Sequence, residues 1–191
     1  MDKRIIFAAW SGVIAIIAII ALFFISEKSS IGQLAINVAN LGLLVVFYGF
    51  YRIASREKAT LLKVMTVLSL IITIVLVIGN LIDLLGIKEK IITATAGWFG
   101  LAVVISIAEG LFVLLFGAGL LKLQKRFGKL ATLSAWSDMI GGSAFILGVL
   151  SISILRLPDM TVGIMMVASL VMLIGMLLKV ALLFKAAKAY R

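Results

Sequence analysis

Glu109 lies near the middle of an apolar run, Trp98 to Leu121, that holds no other charged residue. A carboxyl group in such a place can hold a proton or a cation, bind a polar solute, or accept a hydrogen bond from a neighbouring helix. A charge at the centre of a bilayer costs roughly 2.5–3.5 kcal/mol on insertion scales, so it is expected to face a partner, a cavity or a pathway. Ser106 precedes Glu109 by three residues, which puts both on one helical face. Two further polar sets have helical spacing: Gln33, Asn37 and Asn40 in an earlier run, and Ser69, Thr73, Asn80 and Asp83 in the next. Together these residues could line a cavity open to the outside, with Glu109 at its floor and a cation or polar solute as its occupant.

The same residues also have a structural reading. Gln33 and Asp83 fall near a membrane boundary, where headgroups and water satisfy them. Asn37, Asn40 and Asn80 can bond across helices, an interaction averaging about 0.6 kcal/mol in membranes. Asp138 sits less than two turns from a run's basic end and is expected to pair with Lys129 or a neighbouring loop cation.

Missing residue types exclude much other chemistry. The chain has no His and no Cys, so imidazole metal sites, histidine proton relays, thiol catalysis and thiolate zinc sites cannot be built. A Ser-His-Asp triad cannot be assembled either. No glycine-rich phosphate loop follows a strand pattern. The expectation is a protein that is not an enzyme, with no catalytic residues, no resident cofactor and no metal site.

The elements that must position the polar residues are membrane helices. Of the 191 residues, 64% are hydrophobic and only 14% charged, and mean hydropathy is +1.29, outside the soluble range. About 20 apolar residues make one helical crossing, and the chain offers six such runs, at about residues 5–25, 31–52, 61–85, 98–121, 133–155 and 160–184. The runs are continuous rather than alternating, which predicts helices and not a barrel. The first run is too long for a signal h-region and lacks a small-x-small cleavage site, so it is read as retained. The predicted fold is an all-α integral membrane protein, a single bundle of six transmembrane helices.

Charge predicts the orientation. Fourteen of the 18 Lys and Arg fall on one side of the runs: Lys3, Arg4, Arg52, Arg56, Lys58, Lys63, Lys122, Lys125, Arg126, Lys129, Lys179, Lys185, Lys188 and Arg191. Lys28, Lys88, Lys90 and Arg156 fall on the other. By the positive-inside rule both termini are cytoplasmic, in a cell or inner membrane. The net charge of +10 is therefore read as attraction to an anionic inner leaflet, about 1 kcal/mol per juxtamembrane cation, and not as nucleic-acid binding. Trp10, Trp136, Tyr48 and Tyr51 fall near cytoplasmic ends, as interfacial anchors do. The tail from Leu182 reads as running into the headgroups, with Lys185 and Lys188 snorkelling.

Small residues mark packing faces. Ser137, Gly141, Ala144, Gly148 and Ser151 follow four-three spacing along one side of the fifth run; Ala35, Ala39, Gly42, Val46 and Gly49 do so in the second, and Ser106, Gly110, Val113 and Gly117 in the fourth. In lipid such faces let backbones approach and gain dispersion contacts, within one chain or between protomers. Short echoes, such as Ala59-Thr-Leu with Ala131-Thr-Leu and Ala9-Trp-Ser with Ala135-Trp-Ser, are compatible with three related helical hairpins of parallel topology.

Two functions follow as expectations. The favoured one is a non-enzymatic membrane component that forms an oligomer or docks on other membrane subunits, with Glu109 bonding a neighbouring helix. The alternative is a small transporter, channel or substrate-capture subunit using Glu109 and the aligned amides. In size and topology alone, six crossings with both ends inside, the chain resembles the substrate-capture subunits of energy-coupling vitamin transporters. Against transport stands the lack of a broken helix: the only proline, Pro158, falls outside the runs, and Gly141-Gly142 is the best hinge candidate.

Overall fold

The computed structural model describes residues 2–26, 29–84, 98–151 and 158–190, with the side chains of 80–84, 98–102 and 158–160 left outside the description. All regular structure among the described residues is helical: α1 (Lys3–Leu22), α2 (Ser30–Arg56), α3 (Thr60–Leu84), α4 (Trp98–Leu120), a 3-10 turn Leu121–Leu123, α5 (Gln124–Phe127), α6 (Lys129–Leu150) and α7 (Pro158–Ala189). Six of these, all but the short α5, are long and apolar enough to cross a membrane. Their exposed positions carry residues such as Ile17, Ile71, Val75, Leu147 and Leu170, a surface suited to lipid rather than water. The chain is compatible with a multi-pass membrane protein.

Three boundaries differ from the sequence expectation for stated reasons. The fifth long helix begins at Lys129 and not near 133, because Gly128 takes φ +64° and restarts the chain there. Pro158 is the first residue of α7 rather than part of a loop, a position where its missing N–H is one of the orphans anyway. The same helix runs on to Ala189, well past 184. Lys28, Lys88, Lys90 and Arg156 lie outside the described residues.

The chain divides into two compact units, residues 1–94 with 180–191, and residues 95–179. In the first, α2 packs against both α1 and α3. Asp2 caps α1 by accepting the N–H of Arg4 at 3.0 Å and of Ile5 at 3.4 Å, and Ser29 Oγ caps α2 by accepting the N–H of Gly32 at 3.0 Å. A small-residue face of α1, including Ala8, Ser11, Gly12 and Ala15, is buried. Gly42 rests on it so closely that a Cβ would stand 2.7 Å from Ser11 O, and Gly49 meets Ala8 in the same way. Ala39, on this face of α2, is buried too.

The last turns of α7 complete this unit. Leu182, Leu183, Ala186 and Ala187 are fully buried. Asp2 N–H donates to Ala187 O at 3.1 Å, and Phe184 meets Trp10 edge-on with ring centroids 5.4 Å apart. The tail is thus docked protein and not a free snorkelling segment, although Lys185 and Lys188 do stay exposed.

In the second unit α4 packs along α6. The backbones cross at Gly110 and Gly142: a Cβ on Gly142 would lie 2.7 Å from Gly110 O, and one on Gly110 would lie 3.1 Å from Gly142 O. Gly117 approaches Ala135 O. The other side of α6 holds α7, through Gly141 on Met172 and Gly148 on Met165, with Gly175 of α7 on Ser137. Ser137 Oγ donates to Val171 O at 2.7 Å. Ala144 is half-buried. The small residues named above therefore join helices inside each unit.

Candidate functional site

Glu109 occupies the middle of α4, beside Gly110 but turned from α6. It is exposed, as are Ile105 and Ala108 near it, while Ser106 is half-buried. Among the described residues it makes no hydrogen bond and no ion pair. Within its own unit it is an exposed carboxylate among apolar neighbours.

Of the amides named above, those whose side chains are described lie on α2. Asn37 donates from Nδ2 to Gln33 O of its own helix at 3.0 Å, while its Oδ1 is buried with no partner. Asn40 is half-buried on the same helix. Ser69 and Thr73 are buried, and each hydroxyl donates one turn back, to Met65 O at 3.0 Å and to Ser69 O at 2.8 Å, a structural use of a polar side chain. The side chains of Asn80 and Asp83 lie outside the described residues. Asn37 and Asn40 belong to the first unit, Ser106 and Glu109 to the second.

Among the described residues the most deeply buried ionisable side chain is Asp138. Its side chain is 1% exposed and Oδ1 accepts from Lys179 Nζ at 2.8 Å; the Lys179 side chain is 16% exposed. Lys179 also stands 5.4 Å from the Phe116 ring centroid, a cation–π distance. Gly175 leaves room for the carboxylate, since a Cβ there would fall 2.9 Å from Asp138 Oδ1. Asp138 Oδ2 and, one turn earlier, Ser134 Oγ are buried without a hydrogen-bond partner. Asp138 thus pairs with α7 and not with Lys129 or a loop. Lys179 is part of the helix interior and not a flanking cation. The signal was present in the sequence, because Lys179 falls five residues inside the run that ends near 184, where a cation needs an anion.

A second polar cluster ties one end of the first unit together. Asp2 Oδ2 accepts from Arg56 at 2.7 Å and from Arg52 at 3.2 Å. Burial opposes its charge, but the N–H groups of Arg4 and Ile5 and the Arg52 guanidinium outweigh that and hold the carboxyl below its ordinary value. Tyr190 OH donates to Glu57 Oε1 at 2.6 Å, and the Arg56 guanidinium lies 4.6 Å over the Tyr190 ring. The beginning of α1, the α2–α3 turn and the end of α7 therefore meet. Asp immediately before an apolar run is an N-cap signal that could have located Asp2; its two arginine partners have no local signature.

Among the described residues no group of acidic side chains could hold a metal ion. Compared with protein-family models, with curated proteins and with solved structures, the chain matches none.

Proposed function

We infer that the protein is a non-enzymatic subunit of a membrane complex, held to a different membrane protein through the Glu109 face of α4. The observation that carries this reading is the exposed, unpaired Glu109 in mid-helix. The faces that could have served oligomerisation, around Gly42, Gly110, Gly117, Gly141 and Gly148, are already engaged within each unit. Among the described side chains, what remains exposed on α4 is apolar apart from this carboxylate. In hydrocarbon the carboxylate gains most from a donor or cation on a facing helix. Among the described residues a second copy offers no free cation at that depth: the cations stand at helix ends, except Lys179, which is bonded to Asp138. A different subunit carrying Lys or Arg at that depth fits better.

Mild extraction from the native membrane followed by native mass spectrometry tests this. Wild type should retain a second, different subunit, and Glu109→Leu should release it while staying folded. A lone protomer or a pure homo-oligomer from wild-type membranes would sink the proposal.

The same reading sets both termini in the cytoplasm, supported by the skew of Lys and Arg and by the meeting of Asp2, Glu57 and Tyr190 at one end of the first unit. The chain has no Cys, so single cysteines can report sidedness. Ser26→Cys should react with an impermeant maleimide on intact cells, and Ser55→Cys only after permeabilisation. The opposite pattern would invert the topology.

A further inference from the structure

The first unit carries a groove of about 610 Å³ between α1, α2 and α3. Phe7, Leu44, Val45, Leu70 and Ile74 form its walls, and Lys3, Arg4 and Tyr48 line it as well. Both cations come from the first turn of α1, so they sit at one end of the groove. On each helix the lining spans four residue steps, Lys3 to Phe7, Leu44 to Tyr48 and Leu70 to Ile74, roughly 6 Å of rise at ~1.5 Å per residue. The groove therefore has a cationic mouth and an apolar body that can seat the part of an acyl chain next to its headgroup.

The electrostatics at the mouth are uncompensated. Asp2, the nearest acid, is saturated: Oδ1 accepts two backbone N–H groups and Oδ2 accepts Arg52 and Arg56. Lys3 and Arg4 are exposed and form no ion pair among the described residues. Tyr48 hydroxyl stands beside the guanidiniums of Arg4 and Arg52, which adds a neutral hydrogen-bonding group where a phosphate ester would lie.

We propose that this groove is a binding site for one anionic phospholipid, with the phosphate on Lys3, Arg4 and Tyr48 and an acyl chain along Phe7, Val45, Leu70 and Ile74. The charge complementarity selects an anionic headgroup over a zwitterionic one, since the choline of the latter would meet two cations. The site is independent of the Glu109 face, which lies in the other unit.

Native mass spectrometry of the delipidated full chain, titrated with dioleoyl phosphatidylglycerol or dioleoyl phosphatidylcholine, tests it. One phosphatidylglycerol should be retained in preference to phosphatidylcholine. Lys3→Gln with Arg4→Gln should weaken phosphatidylglycerol roughly thirtyfold, the loss of two juxtamembrane attractions, and abolish the preference. These exposed side chains leave the Asp2 cap intact, because the cap uses backbone N–H groups. Val45→Trp, which fills the groove, should remove binding while leaving Lys3 and Arg4 in place, and circular dichroism checks that each variant remains helical. Equal retention of the two lipids by wild type, or undiminished phosphatidylglycerol binding in the double variant, would overturn the proposal. Displacement of the bound lipid by inorganic phosphate alone would do so too, because it would mean that the apolar groove contributes nothing.

Discussion

Asp138→Ala should lower the stability of the detergent-solubilised protein by about 3–5 kcal/mol, and Asp138→Ala combined with Lys179→Met should recover most of it. The reason is asymmetry. The pair is buried on the Asp138 side and nearly so on the Lys179 side, so removing the carboxylate leaves an ammonium with only the Phe116 ring as partner. Removing both charges eliminates the uncompensated desolvation, and Met approximates the lysine stem. The orphaned Asp138 Oδ2 and Ser134 Oγ already cost something in the folded state, which further favours recovery. Thermal unfolding followed by tryptophan fluorescence reads the effect. A single variant within about 1 kcal/mol of wild type would mean that Lys179 escapes to solvent; a double variant as weak as the single would mean that packing around Asp138, and not charge, dominates.

This pair also marks how far the sequence could be read. The six apolar helices were legible because about 20 consecutive apolar residues have no other stable use. Glu109 and Asp138 were both visible as charges inside runs, but which of them meets a partner within its own unit was not. Depth along a run says what a charge costs; the face it occupies says whether another helix answers it. Glu109 lies beside Gly110, which faces α6, and so points away from the packed side. Asp138 lies beside Ser137 on the packed side and finds Lys179 forty-one residues later. No local pattern encodes that match.

Helix boundaries follow the same logic. The starts of α1 and α2 rest on capping groups that follow directly from residue type, Asp2 and Ser29. The far end of α7 rests on long-range contacts with Asp2, Trp10 and Glu57, by way of Ala187, Phe184 and Tyr190. Hydropathy falls off near Lys185 and Lys188, so the run ends by composition while the buried face of Leu182, Leu183, Ala186 and Ala187 continues at helical spacing. The four-three spacing of small residues was legible as packing faces, but which helix each face meets depends on the grouping into two units, and spacing within one helix does not carry that information.

The crossing of α4 and α6 gives the second large effect. Gly142→Ala should destabilise by about 1–3 kcal/mol, the cost of forcing an extra methyl into a filled contact, and Gly142→Leu should separate the two helices. What a Cβ at 142 would strike is backbone, Gly110 O at 2.7 Å and Leu114 N at 3.0 Å, and backbone cannot rotate aside as a side chain can. The clash is relieved only by moving α4 off α6, which forfeits the dispersion contacts that hold membrane helices together. Gly163 is the internal control: it lies in α7 with nothing within 4 Å of an added Cβ. Gly163→Ala should be neutral or stabilising by up to about 1 kcal/mol, since glycine costs a helix interior that much. Opposite signs at the two positions, measured by thermal unfolding under one set of conditions, separate close packing from helix propensity. If Gly142→Ala gained stability as Gly163→Ala does, the backbones of α4 and α6 could not be crossing at that point.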